Sequence, residues 1–113
     1  MTVTGFVIHH SRCTSINGKG YDFFVAKSGI VIPGAEPTEP GRVHICLEGD
    51  FDKSGGAFDL ETEEQLFVAA RLIARLSEAL GVPAEALYPH SEKCPGARFP
   101  WPKLVLSISD GYH

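Results

Sequence analysis

Phe6-Val7-Ile8-His9-His10-Ser11 decides how the rest of the chain is read. Its first residues are aromatic or β-branched and form an unbroken apolar run, which reads as a buried strand. Two imidazoles follow at the carboxyl end of that strand. Successive strand side chains point to opposite faces, so His9 and His10 cannot both face one metal ion while the strand stays regular. One of the two is structural.

Working outward, Ser11 to Gly20 is polar, carries Gly18 and Gly20, and reads as a loop. Tyr21-Asp22-Phe23-Phe24-Val25-Ala26 is a second strand. Lys27-Ser28-Gly29 reads as a tight hairpin turn, with Ile30-Val31-Ile32 pairing back as a third strand. The density of proline and glycine from Pro33 to Gly41 rules out a helix or an interior strand and marks a surface loop. Arg42 to Glu48 is a fourth strand, with Val43, Ile45 and Leu47 on one face and His44 on the other. Gly49 to Gly56 is a second loop. The clearest helix follows, with Thr62 and Gln65 as a capping box and Leu66, Phe67, Ala69, Ala70, Ile73, Leu76, Ala79 and Leu80 at helical spacing. Gly81 ends it and Pro83 prevents its return. Leu87-Tyr88 reads as a short fifth strand. Pro102 to Ser109 reads as a last helix with a buried stripe of Leu104, Val105 and Ile108. Strands before a long helix, then a strand and a helix, predict an α/β domain. Its core is one mixed central sheet of about five strands, with one long helix and shorter helices packed on it.

The chain has 113 residues, 43% hydrophobic and 21% charged, with a net charge of -4. That suits one domain spanning 1–113 with a modest core, and not a disordered chain. Phosphate binding wants clustered Lys and Arg, so nucleic acid is not an expected partner. No apolar run is long enough to span a bilayer, so neither is a membrane. Three cysteines, widely spaced, do not make a disulfide framework. Met1 to Gly5 has neither a basic region nor a long apolar core, so the expectation is a cytoplasmic protein without a signal peptide.

The chemistry gathers in a second stretch, Tyr88-Pro89-His90-Ser91-Glu92-Lys93-Cys94-Pro95-Gly96-Ala97-Arg98-Phe99-Pro100-Trp101. Imidazole and thiolate are side chains that zinc favours, and Pro95-Gly96 reads as a turn behind the thiol. A catalytic zinc needs a third protein ligand and one open position. The His9-His10 pair is the obvious source, because sites in such sheets gather at strand ends. Glu92 is the only carboxylate between His90 and Cys94 and reads as an exposed loop residue with general-base or supporting potential. His10 reads as structural or as a support for a ligand. His44 reads as structural, Cys46 as a small buried hydrophobe, and Cys13 as a loop thiol.

The order of these pieces resembles a known family. An apolar strand ending in His-His-Ser, a Tyr-x-Phe strand, Ile-Cys-Leu-x-Gly-Asp-Phe-Asp, a Thr-x-x-Gln helix and a His…Cys-Pro-Gly…Phe-Pro-Trp ending succeed one another. The pattern looks like the zinc-dependent N-acetylmuramoyl-L-alanine amidases, which include the phage amidase lysozymes and the peptidoglycan recognition proteins. The resemblance covers nearly the whole chain. It implies zinc ligation by His9, His90 and Cys94, and assistance to catalysis from Tyr21. Lys93 resembles a lysine used in the phage enzymes, shifted by one position. The implied activity is hydrolysis of the amide between N-acetylmuramic acid and L-alanine, in peptidoglycan or muropeptides, by zinc-activated water. A protein of this kind without an export signal would reach the wall by phage-type release or recycle muropeptides in the cytosol. Three departures stand out: a short segment between His9 and Tyr21, where the family places a helix; no histidine-containing stretch from Pro33 to Gly41; and a tight step from His90 to Cys94. The competing readings are a non-catalytic peptidoglycan-binding module and a truncated domain with a structural zinc.

Overall fold

The computed structural model describes residues 3–11, 21–35, 38–49, 60–90, 94–95 and 99–111. Elements follow in the order β1 (Gly5–His10), β2 (Phe23–Val25), β3 (Val31–Pro33), β4 (Arg42–Leu47), α1 (Leu60–Leu80), β5 (Leu87–Pro89) and α2 (Trp101–Gly111). The strands form one sheet in the order β3-β2-β4-β1-β5. β1 runs parallel to β4 on one side and to β5 on the other, and β2 runs parallel to β4. Only β3 is antiparallel, paired to β2 through the hairpin. This is the expected mixed sheet with one long helix and a shorter one.

Every residue of β1 is buried, as its unbroken apolar run requires of a central strand covered on both faces. Phe6, Ile8, Val25, Val43, Ile45 and Leu47 form one face of the sheet's core and pack with Leu66, Ala69, Ala70 and Ile73 of α1 and Leu104 of α2. Burying each of the larger side chains contributes roughly 1.5–3 kcal/mol. By alternation, Val7, His9, His44 and Cys46 leave the sheet on the opposite side, while His10 shares the side of Phe6 and Ile8. The prolines that end β3 and β5 sit on the two edge strands, where a missing N–H costs no ladder bond. Pro33 therefore belongs to β3 and not to the loop that follows it.

Several expectations need correction. β2 begins at Phe23 and not at Tyr21, because the Asp22 carboxylate accepts the backbone N–H of His44 at 2.7 Å and the Thr38 hydroxyl at 2.8 Å. The long helix begins at Leu60, so Thr62 lies inside its first turn and not ahead of it. Gln65 is no cap either. It is fully buried, and its Nε2 donates to the carbonyls of Val25 at 3.0 Å and Glu48 at 2.9 Å. The helix is thereby tied to the carboxyl ends of β2 and β4. Phe67, Leu80 and Val105 lie off the buried stripes, each with more than a third of its surface exposed.

The far end of α1 closes as read. Gly81 takes a φ of 68°, and the Val82 N–H bonds back to the Ser77 carbonyl at 3.1 Å, which satisfies an orphan carbonyl of the last turn. Gly5 is required for a different reason. A Cβ there would lie 2.6 Å from the ring of Tyr88, which crosses β1 at this point and meets the Arg42 guanidinium 4.3 Å from its centroid. Three neighbouring strands are clamped together on the His9 side of the sheet. Among the described residues no helix is long and apolar enough to cross a membrane.

Replacing Gln65 by Leu keeps the volume and removes both bonds to the strand ends. The expected loss of stability is about 1–3 kcal/mol, read from the midpoint of urea unfolding at unchanged slope. An unchanged midpoint would show that the two carbonyls do not depend on Gln65.

Candidate metal centre

Strand pairing builds this centre. Ile8 stands opposite Pro89 in the parallel β1–β5 ladder, and the His90 N–H reaches the Ile8 carbonyl at 3.3 Å. One step further along both chains brings His9 and His90 side by side. Parallel strands in register send residues of matching position to one face, so both rings emerge together. Their centroids are 4.3 Å apart. Cys94 returns to the same place and is fully buried. Ligand atoms of His9, His90 and Cys94 all lie within 4.8 Å of one another.

His9 has two distinct ring nitrogens. Nε2 lies 2.7 Å from Nδ1 of His44, which stands opposite Val7 on β4 and so reaches His9 diagonally across the ladder. Nδ1 is buried and has no hydrogen-bond partner. A buried nitrogen without a partner is costly unless something pairs with it, and with Nε2 taken up by His44 this is the nitrogen left for a metal ion. Burial, and then the nearby imidazoles of His90, His44 and His10, lower the His9 pKa from 6.5 to about 3. The ring is thus neutral near pH 7, the form that binds a cation. His44 in turn places Nε2 at 3.2 Å from the Glu39 carboxylate, within ion-pair reach though not aligned as a hydrogen bond.

The remaining site residues fall as follows. His10 is buried on the α1 side of the sheet, away from the cluster, as alternation demands. Tyr21 is buried, with its ring 5.4 Å from that of Phe24. Together with Ser11, Ile32, Pro33, Ala35 and Glu48, these two line an open, mostly apolar cleft of about 540 Å³. Ser11 follows the carboxyl end of β1, which carries His9, so the cleft opens at the same end of the sheet as the cluster. Its hydroxyl accepts the Gly49 N–H at 2.8 Å and pins the turn after β4. Lys93, Glu92, Cys13 and Gly96 lie outside the described residues, as do most of the loops read from Ser11 to Gly20 and from Gly49 to Gly56. Cys46 is fully buried in β4. The contact that sequence reading missed is that of His44 with His9. Its signal was present, since His44 alternates with the core stripe of β4, but only strand order makes it the neighbour of His9.

No protein-family model matches the sequence, and no curated protein matches it. Solved structures do. The N-acetylmuramoyl-L-alanine amidase LysC from Clostridium intestinale URNW superposes with a TM-score of 0.74 at 19% identity, over 96% of this chain and 87% of LysC. The endolysine N-acetylmuramoyl-L-alanine amidase LysCS from the same organism gives 0.70 at 18% identity, over 96% of this chain and 85% of LysCS. The chain has the fold of these amidases, with a cluster able to coordinate a metal ion at the ends of its strands.

Cobalt(II) is a coloured probe of such a cluster. Titration of the metal-free protein is expected to saturate at one equivalent with a near-ultraviolet band from thiolate-to-metal charge transfer. Cys94→Ser removes that band and weakens binding by more than the roughly 10–100-fold that loss of a supporting partner costs. A band of equal strength in the variant would remove Cys94 from the centre.

Proposed function

We propose that this chain is a zinc-dependent amidase that hydrolyses the amide bond between N-acetylmuramic acid and L-alanine in peptidoglycan or its muropeptide fragments. One observation carries the reading: two imidazole nitrogens and a thiolate sulfur converge within 4.8 Å at strand ends of a fold shared with LysC. Two nitrogens and a sulfur are donors that zinc prefers over magnesium or calcium. Three protein ligands, the number that catalytic zinc sites use, leave a coordination position open. The buried, unpartnered Nδ1 of His9 supports the fit.

Zinc, when bound, would supply Lewis-acid chemistry, polarising a carbonyl and lowering the pKa of water to about 7. The chain's own residues supply the rest. His9 and Cys94, both buried, hold the metal-binding side dry, and the exposed His90 faces the side from which substrate arrives. The cleft beside Ser11 and Tyr21 receives the stem of the substrate against the ring of Phe24. Tyr21 donates its hydroxyl to the oxyanion that forms as the amide carbonyl is attacked, and Lys93, next to Cys94 in sequence, shares that task. His10 supports β1 from the core side. Glu92 is assigned no step. Phage-type release would bring such a protein to the wall, and a cytosolic role would give it muropeptide fragments instead.

The test is digestion of purified peptidoglycan by the zinc-loaded protein, followed by counting new N-terminal L-alanine. Turnover is expected for the wild type, and Cys94→Ser is expected to lose at least about 100-fold while keeping its far-ultraviolet dichroism. Binding to peptidoglycan without any new amino termini would contradict the reading and leave a recognition module in its place.

A further inference from the structure

We infer that His44, backed by Glu39, is a positioning residue that sets which nitrogen of His9 faces the metal. The inference rests on the metal-centre reading above and goes beyond its ligand set. His9 and His44 share one hydrogen bond, Nε2 to Nδ1, at 2.7 Å. One proton lies between those atoms, and it belongs to one ring or the other.

Two arrangements are open to neutral rings. In the first, His44 carries its proton on Nδ1 and donates it. His9 Nε2 then accepts, so the proton of His9 sits on Nδ1, facing a buried space with no acceptor. His44 Nε2 would meanwhile turn a lone pair toward the Glu39 carboxylate 3.2 Å away, two acceptors face to face. In the second, His44 carries its proton on Nε2, toward Glu39. Its Nδ1 is then the acceptor, His9 donates from Nε2, and His9 Nδ1 keeps the lone pair free for a cation held together with His90 and Cys94. Only the second sets no two lone pairs against each other: a cation takes His9 Nδ1, the two rings share one hydrogen bond, and the protonated His44 Nε2 lies 3.2 Å from the Glu39 carboxylate, an electrostatic contact and not an aligned hydrogen bond.

A metal-bound histidine ordinarily donates its other ring nitrogen to an acceptor that fixes its orientation, most often a carboxylate or a carbonyl. Here an imidazole takes that place, and the carboxylate stands one ring further out. The order is Glu39, His44, His9. Nothing in the geometry requires His44 to touch substrate, because it is buried beneath His9 in the neighbouring strand. Glu39 is half in solvent and comes from the loop between β3 and β4.

Two variants separate positioning from packing. His44→Asn keeps an acceptor, Oδ1, at the same number of bonds from Cα as Nδ1. His44→Ala removes it. Imidazole nitrogen shifts of the metal-free protein report the His9 tautomer, and zinc affinity is read by competition with a chromogenic chelator. The wild type is expected to hold His9 as the Nε2–H tautomer. His44→Ala is expected to lose that preference and to bind zinc about 10–100-fold more weakly, while His44→Asn stays within a few-fold of wild type. Glu39→Gln is expected to show a smaller loss in the same direction. A wild-type His9 protonated on Nδ1 overturns the inference, even if His44→Ala fails to fold. Equal zinc affinity in the wild type and a folded His44→Ala overturns it too, and leaves the amidase reading standing. Failure of the wild type to bind zinc overturns both.

Discussion

The register of β1 against β5 is the constraint on which the rest of the molecule depends. Ile8 faces Pro89, and the next residue on each strand is a histidine. Side chains alternate with a period of two, so a slip of one residue would send His90 to the helix side and leave His9 alone. The register is defended upstream of the site. Tyr88 stands opposite Val7 and lays its ring over Gly5, where no side chain intrudes, to reach Arg42 on the strand beyond. A side chain at position 5 would push that ring aside and loosen the same pairing that sets the two imidazoles together.

Burial then turns proximity into chemistry. A histidine in a central strand with almost no solvent contact cannot afford a proton, and three neighbouring imidazoles add to the penalty. Water is excluded from one ring nitrogen and a second histidine occupies the other, so the neutral ring has its one proton and one lone pair to divide between two fixed directions. The apolar core on the opposite face holds the sheet against α1, and Gln65 fastens that helix to the ends of β2 and β4, where the cleft opens. Fold and site thus meet at the same edge of the sheet, as parallel strands of an α/β domain dispose them.

Much of this was legible in the residues. The unbroken apolar run before His9 marks a central strand, and strict alternation assigns His9 and His10 to opposite faces before any coordinates exist. The α1 stripe and the Gly81 stop are equally plain. Other features depend on information that periodicity does not carry. Strand order is one: β4 enters between β1 and β2 through long connections, and that insertion alone makes His44 a neighbour of His9. Gln65 is another. Thr-x-x-Gln reads as a capping box whether or not the helix begins two residues earlier, and the side chain's true partners are carbonyls 40 and 17 positions away. Val105 falls on the helical period of its neighbours and is still exposed, because α2 offers its packed side to α1 through Leu104.

X-ray absorption at the zinc edge of the loaded protein tests the convergence of the three donors most directly. The account predicts one sulfur at about 2.3 Å, two imidazole nitrogens at about 2.0–2.1 Å and one further light atom. A spectrum without sulfur, or with sulfur and no imidazole, would contradict it.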